Sequence, residues 1–113
     1  MDYRYNALVE RVIDGDTIDV VIDLGFDICF KQRLRLNGID TKELSSPDPE
    51  NRKKASDARL YVVEKILNKH VELVTYKEDK YGRYLADVYI NGTLLNEELV
   101  DKQLAVYYDG GKR

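Results

Sequence analysis

ALVERVIDGDTIDVVIDL, residues 7–24, decides how this chain folds. Ala7 to Val12 and Thr17 to Leu24 are rich in valine and isoleucine, side chains that suit a pleated, half-buried surface. The Asp14-Gly15 between them is a strong hairpin signal, so the chain opens with two antiparallel strands. A second turn around Leu24-Gly25 leads into residues 28–36. There Ile28, Phe30, Gln32, Leu34 and Leu36 fall on one side of a third strand and Arg33 and Arg35 on the other. The alternation predicts that Arg35 points away from the core face of Leu34 and Leu36. Cys29, within this apolar strand, reads as a small core residue.

Leu44-Ser45-Ser46-Pro47-Asp48-Pro49 holds both prolines of the chain, with serines and an aspartate that favour turns, and predicts an irregular loop. From about Glu50 the period becomes helical. Ala55, Ala58, Val62 and Ile66, then Val63 and Leu67, recur at three- and four-residue spacing, and Asn68 supplies a stop. Val71 to Thr75 and Leu85 to Ile90 read as two further strands. Asn91-Gly92 is a turn before a second helix over about Leu95 to Lys102, whose Leu95, Leu99 and Val100 give an apolar face. Five strands, with one helix in the middle and another near the end, predict a small, mainly β OB-type barrel.

At 113 residues and 43% hydrophobic content, one compact core is expected across residues 1–113, as a single domain. A single cysteine excludes an internal disulfide, and no apolar run approaches bilayer-spanning length. Met1 to Tyr5 are polar and acidic where a secretory signal needs an apolar stretch, so a cytoplasmic protein is expected; a mature secreted form reads the same way. A monomer with no membrane association is expected. One histidine and one cysteine cannot build a Cys/His zinc cluster, and no serine, histidine and acid are arranged for covalent catalysis. His70, at a strand start, reads as a solvated or satisfied ring.

Three short charged segments carry the chemistry: Ile13-Asp14-Gly15-Asp16-Thr17, Arg35 to Glu43, and Asp79-Lys80-Tyr81-Gly82-Arg83. Together they supply carboxylates that suit a hard cation and two arginines that suit a phosphate, the parts needed to cut a phosphodiester. Asp16 alone reads as a hairpin aspartate. Asp40 changes that reading, because it directly follows a strand whose Gly38 lets the backbone turn closely. Two carboxylates from neighbouring strands plus a main-chain carbonyl make an all-oxygen site suited to Ca²⁺. The formal charge of -3 runs against a nucleic-acid binder's basic footprint. Arg33, Arg35, Lys80 and Arg83 nonetheless lie near the acids in sequence, and a bound cation would cancel part of the negative charge. Weak non-specific binding to long DNA is expected.

The combination and order of these segments resemble the staphylococcal nuclease (thermonuclease) family, from about Ala7 to about Ala105. The resemblance implies that Asp16, Asp40 and the carbonyl of Thr41 hold Ca²⁺ and that Glu43 activates the attacking water. It implies that Arg35 and Arg83 stabilise the transition state, where a guanidinium fork matches the charge building on phosphorus. Lys80 and Tyr81 match residues that touch a terminal phosphate, Leu85 part of a base pocket, and Tyr107 and Tyr108 tyrosines near the substrate. The chain departs from the family pattern at Lys42, where a proline is usual, and at Gln103, where a glycine would complete a helix cap. Longer members carry a further C-terminal helix, before which this chain stops. The implied function is a Ca²⁺-dependent phosphodiesterase acting on DNA and RNA, leaving 3′-phosphate and 5′-hydroxyl ends. The alternative is an OB-type nucleic-acid-binding module without catalysis, although such members usually lack several of the acids and arginines present here.

Overall fold

The computed structural model of the chain describes residues 3–76 and 82–108. Strands β1 (Tyr3–Asp14), β2 (Thr17–Asp23) and β3 (Cys29–Leu36) form an antiparallel meander. The short β4 (Ile39–Asp40) and helix α1 (Pro49–Ile66) follow. Strand β5 (His70–Tyr76) then pairs with the free side of β1, and β6 (Tyr84–Ile90) pairs antiparallel with β5. β6 also runs parallel to β3, from Leu34 opposite Tyr84 to Leu36 opposite Ala86, and this seam closes a five-stranded mixed barrel. A two-residue strand β7 (Thr93–Leu94) leads into helix α2 (Leu95–Asp101), and β8 (Val106–Tyr107) pairs antiparallel with β4. The OB-type barrel with two helices expected from the pattern of strands is therefore the fold.

The alternating residues meet in one core. Val9, Val12, Ile18, Val20, Leu34, Leu36, Leu73 and Val88 are buried inside the barrel together with Ile39 of β4, Val62 and Ile66 of α1, and Leu95 and Leu99 of α2. A fully buried aliphatic side chain of this size contributes roughly 1.5–3 kcal/mol, so this cluster dominates the stability of the fold. Among the described residues no helix is long and apolar enough to cross a membrane.

The core stops short of one expectation. Cys29 is exposed, and Ile28 and Phe30 are 54% and 45% exposed rather than part of the core. β3 meets β6 only from Leu34 onward, so its first half is paired on one side only, with β2, and its side chains there stay largely exposed. The hairpin tip turns through Gly25, Phe26 and Asp27, all at positive φ. His70 is exposed, as a solvated strand-start ring should be.

Helix boundaries follow their caps. Asp48 accepts a hydrogen bond from the Glu50 amide (3.0 Å), and Pro49 is the first helical residue rather than the end of the loop, a position where its missing N–H costs nothing. Asn68 follows the helix at φ 61°. After α2, the Gln103 amide donates to the Val100 carbonyl and the Leu104 amide to the Leu99 carbonyl, both at 2.9 Å, a Schellman closure that requires a left-handed residue between them. That residue is Gln103, at φ 61°. An L side chain is strained there and glycine is not. Gln103→Gly should therefore raise stability by about 1 kcal/mol in urea unfolding; an unchanged or lower midpoint would show that the cap carries no strain.

Candidate active site

The β1–β2 hairpin brings Asp16 inward. Gly15 is placed so that a Cβ on it would lie 2.8 Å from the Ala58 Cβ of α1 and 2.9 Å from the Thr41 Cγ2. Only a glycine lets the turn approach helix and loop this closely, and Asp16 is consequently 5% exposed. Both oxygens of its carboxylate are bonded: Oδ2 accepts from the Thr41 amide (3.1 Å), and Oδ1 accepts from the Thr17 hydroxyl (3.1 Å). Its own amide donates to Asp14 Oδ1 at 3.2 Å.

Arg35 stands opposite Thr17 on β2 and opposite Leu85 on β6, at the closing seam of the barrel. It points away from the Leu34 and Leu36 face as the alternation predicts, yet it is only 8% exposed, which removes a surface salt bridge as its explanation. Nη1 lies 2.7 Å from Asp16 Oδ2, and Nη2 lies 3.1 Å from both Asp40 Oδ1 and the Ile39 carbonyl. One guanidinium thus ties the hairpin to β4. The Tyr108 ring sits over the same guanidinium, 5.8 Å from centroid to carbon, and the Tyr108 amide donates to the Gly38 carbonyl at 2.8 Å. Gly38 itself is at φ +77°, so the turn that delivers Asp40 needs a residue without a Cβ.

Electrostatics sort the acids. Burial pushes the Asp14 carboxyl up to about 6, reinforced by its hydrogen bond to Asp16 and by the charge there. Burial acts in the same direction on Asp16 but is outweighed by the hydrogen bond with Asp14, the charge of Arg35 and the Thr41 amide, so Asp16 is held below the ordinary carboxylate range. Asp16 stays anionic while Asp14 protonates first. Asp16 and Asp40 share the Arg35 guanidinium, and Asp14 stands next to Asp16 without a bond to that guanidinium, so two carboxylates face one positive charge.

The donor set suits a hard ion. Among the described residues no three His, Cys, Asp or Glu side chains form a cluster. Asp16 and Asp40 bring two carboxylates within reach of one guanidinium, and the Thr41 main chain lies beside Asp16. A Ca²⁺ ion there would complete its shell with water or phosphate oxygens, as oxygen-liganded cations do.

Glu43 lies apart, exposed in the loop after β4, and its carboxylate takes no hydrogen bond or ion pair among the described residues. It faces a cleft of about 600 Å³ also lined by Asp40, Thr41, Tyr107 and Tyr108. Tyr107 is 70% exposed. Leu85 is half-buried beside Arg35, and Arg83 is exposed immediately before β6. Lys80 and Tyr81 lie outside the described residues. The residues brought together are therefore Asp16, Arg35, Asp40, Thr41 and Tyr108, with Glu43 and Tyr107 across the cleft. Sequence reasoning passed over Asp14 and Thr17, which the spacing Asp14-Gly15-Asp16-Thr17 offers, and Asn96, for which a lone asparagine in an apolar helix gives no signal. Asn96 is buried; its Oδ1 accepts from the Val88 amide (3.0 Å), and Nδ2 donates to the carbonyls of Asn37 (2.9 Å) and Ala86 (3.1 Å), pinning the turn ahead of Asp40.

Residues 33–113 match the family model described as staphylococcal nuclease homologue. A thermonuclease of Staphylococcus intermedius is 38% identical over 100 residues, 87% of this chain and 56% of the relative. The staphylococcal-like nuclease CAN1 of Arabidopsis thaliana is 40% identical over 78 residues, 69% of this chain and 22% of the relative. A probable staphylococcal-like nuclease CAN1 of Oryza sativa subsp. japonica is 36% identical over 109 residues, 95% of this chain and 31% of the relative. The chain spans between about a fifth and a little over half of the length of these relatives. With the closed barrel and a family match over more than half its length, the chain belongs to the staphylococcal nuclease family.

Proposed function

We propose that this chain is a single-domain, Ca²⁺-dependent phosphodiesterase that hydrolyses DNA and RNA, most readily when single-stranded, to 3′-phosphate and 5′-hydroxyl ends. The observation that supports this best is the buried Arg35 bonded at once to Asp16 and Asp40, with Asp40 lining the cleft that Glu43 also lines. Ordinary surface pairs contribute little and need no such burial.

Each side chain has a task in this reading. A guanidinium has five N–H donors, and three of its contacts here go to Asp16, Asp40 and Ile39, which leaves donors for a phosphate oxygen. Arg35 and Arg83 offset the charge that builds on phosphorus, and Tyr108 keeps the Arg35 plane oriented. Glu43 accepts the proton of the attacking water. Asp16, Asp40 and the Thr41 carbonyl would hold Ca²⁺, which supplies Lewis-acid neutralisation of the phosphoryl group when bound. Leu85, in register with Arg35, gives a base an apolar wall, and Tyr107 a ring to stack on. Lys80 and Tyr81 are assigned to the nucleotide's terminal phosphate by the family pattern alone.

Heat-denatured DNA should release acid-soluble nucleotides in Ca²⁺ and none in chelator. In the same assay Arg35→Lys and Arg83→Lys should each lower turnover at least tenfold, about 1.4 kcal/mol, because lysine keeps the charge and loses the fork. Affinity for an uncleavable nucleotide should change little. Full turnover in either variant would remove that arginine from the mechanism.

Glu43 and Asp40 separate by paired measurements. Glu43→Gln keeps shape without a base and should lower the rate by roughly a hundredfold to ten-thousandfold at neutral pH, with Ca²⁺ affinity nearly intact. Asp40→Asn should weaken Ca²⁺ binding itself in calorimetric titration. Near-normal turnover in Glu43→Gln, or a Ca²⁺ loss equal to that of Asp40→Asn, would move Glu43 out of the base role.

A further inference from the structure

Building on the phosphodiesterase reading, we propose that the cleft beside Glu43 is a second nucleotide subsite. It takes the strand on the opposite side of the scissile phosphate from Leu85, with Lys42 and Lys54 on its phosphates and Tyr107 under a base. The cleft starts at Asp40 and Glu43 and continues between the Ser46-Pro47 loop, the first turns of α1 and the Tyr107 segment. Its volume, about 600 Å³, falls within the roughly 300–1,000 Å³ of small-molecule sites and is more than a single phosphate needs.

Two features identify the occupant. Lys42 and Lys54 both line the cleft, and neither has an ion pair or hydrogen bond among the described residues. Some exposed cations elsewhere are paired, Lys53 with Asp57, Lys65 with Glu98 and Arg33 with Asp19, whereas these two stand together on one cleft. Two unpaired lysines beside a pocket of carboxylates, in a chain of net charge -3, fit an anion that arrives from outside. The second feature is Tyr107, a ring 70% exposed on a two-residue strand, which offers the sequence-tolerant stacking that single-stranded nucleic acids use. A repeating phosphate with a stackable base between is what a continuing strand supplies.

The wall is held in place before any ligand arrives. The Arg52 Nη1 donates to the carbonyls of Ser46 (2.9 Å) and Pro47 (3.0 Å), and Asp48 caps α1, so the loop is fastened to the helix that carries Lys54. Binding then costs little ordering of the protein.

The test is fluorescence anisotropy of labelled single-stranded DNA in chelator, comparing a dinucleotide with a hexanucleotide. The wild-type protein should bind the hexanucleotide more tightly. In Lys42→Ala/Lys54→Ala the ratio of the two affinities should collapse by about tenfold, and the slope of log affinity against log salt for the hexanucleotide should fall by about 1.4, at ~0.7 for each phosphate contact on a single strand. Lys54→Glu should deepen the loss. An unchanged hexanucleotide affinity and slope, or an equal loss for both lengths, would overturn the subsite. Because binding is read without turnover, lysine-dependent length discrimination in a protein that hydrolyses nothing would uphold the subsite and refute the catalytic reading. Hydrolysis without length discrimination would do the reverse.

Discussion

A single buried guanidinium holds this site together. Arg35 belongs to β3, Asp16 to the first hairpin and Asp40 to the strand after the Asn37-Gly38 turn; the three meet where β2 pairs with β3 and that turn brings the chain back over Arg35. Each group would be costly to bury alone, and removing one member of such a set costs about 3–5 kcal/mol because a charge is left uncompensated. The Leu36 amide also donates to the Asp16 carbonyl at 2.8 Å, so the backbone of β3 and the hairpin turn are joined at the same point as their side chains. The fold and the site therefore share one contact.

Support comes from the C-terminal third of the chain. Asn96 bonds to the Asn37 carbonyl and so ties α2 to the turn that aims Asp40. The left-handed Gln103 ends α2 and sends the chain back as β8, where Val106 pairs with Asp40 and Tyr107 with Ile39. Tyr108, the next residue, then lies over Arg35. These contacts from separate segments fix the charges of the site in place, the preorganisation that the proposed phosphodiesterase chemistry would draw on.

The parts of this arrangement legible in the sequence were those with a local signature. The valine-rich strands, the Asp14-Gly15 and Asn91-Gly92 turns and the helical spacing from Ala55 to Ile66 follow from nearest-neighbour chemistry, while the strained position of Gln103 showed only as a departure from the family's glycine. The exposure of Cys29 and Phe30 did not, since alternation says which side a residue faces and not whether anything lies opposite. Nor did Asn96, whose partners are 8 to 59 residues away. The burial of Arg35 was half legible: its face follows from the period of β3, but its enclosure depends on Tyr108 and Asp16 arriving from the far ends of the chain.

The most direct measurement is a double-mutant cycle between Arg35 and Asp16 in the metal-free protein, using Arg35→Gln, Asp16→Asn and the pair, with stability read by urea unfolding. If the buried guanidinium and carboxylate form the joint of fold and site, the double variant should be less destabilised than the sum of the singles by more than about 1.5 kcal/mol. Effects that add to within about 0.5 kcal/mol would contradict it, showing that the two groups are neighbours without being partners.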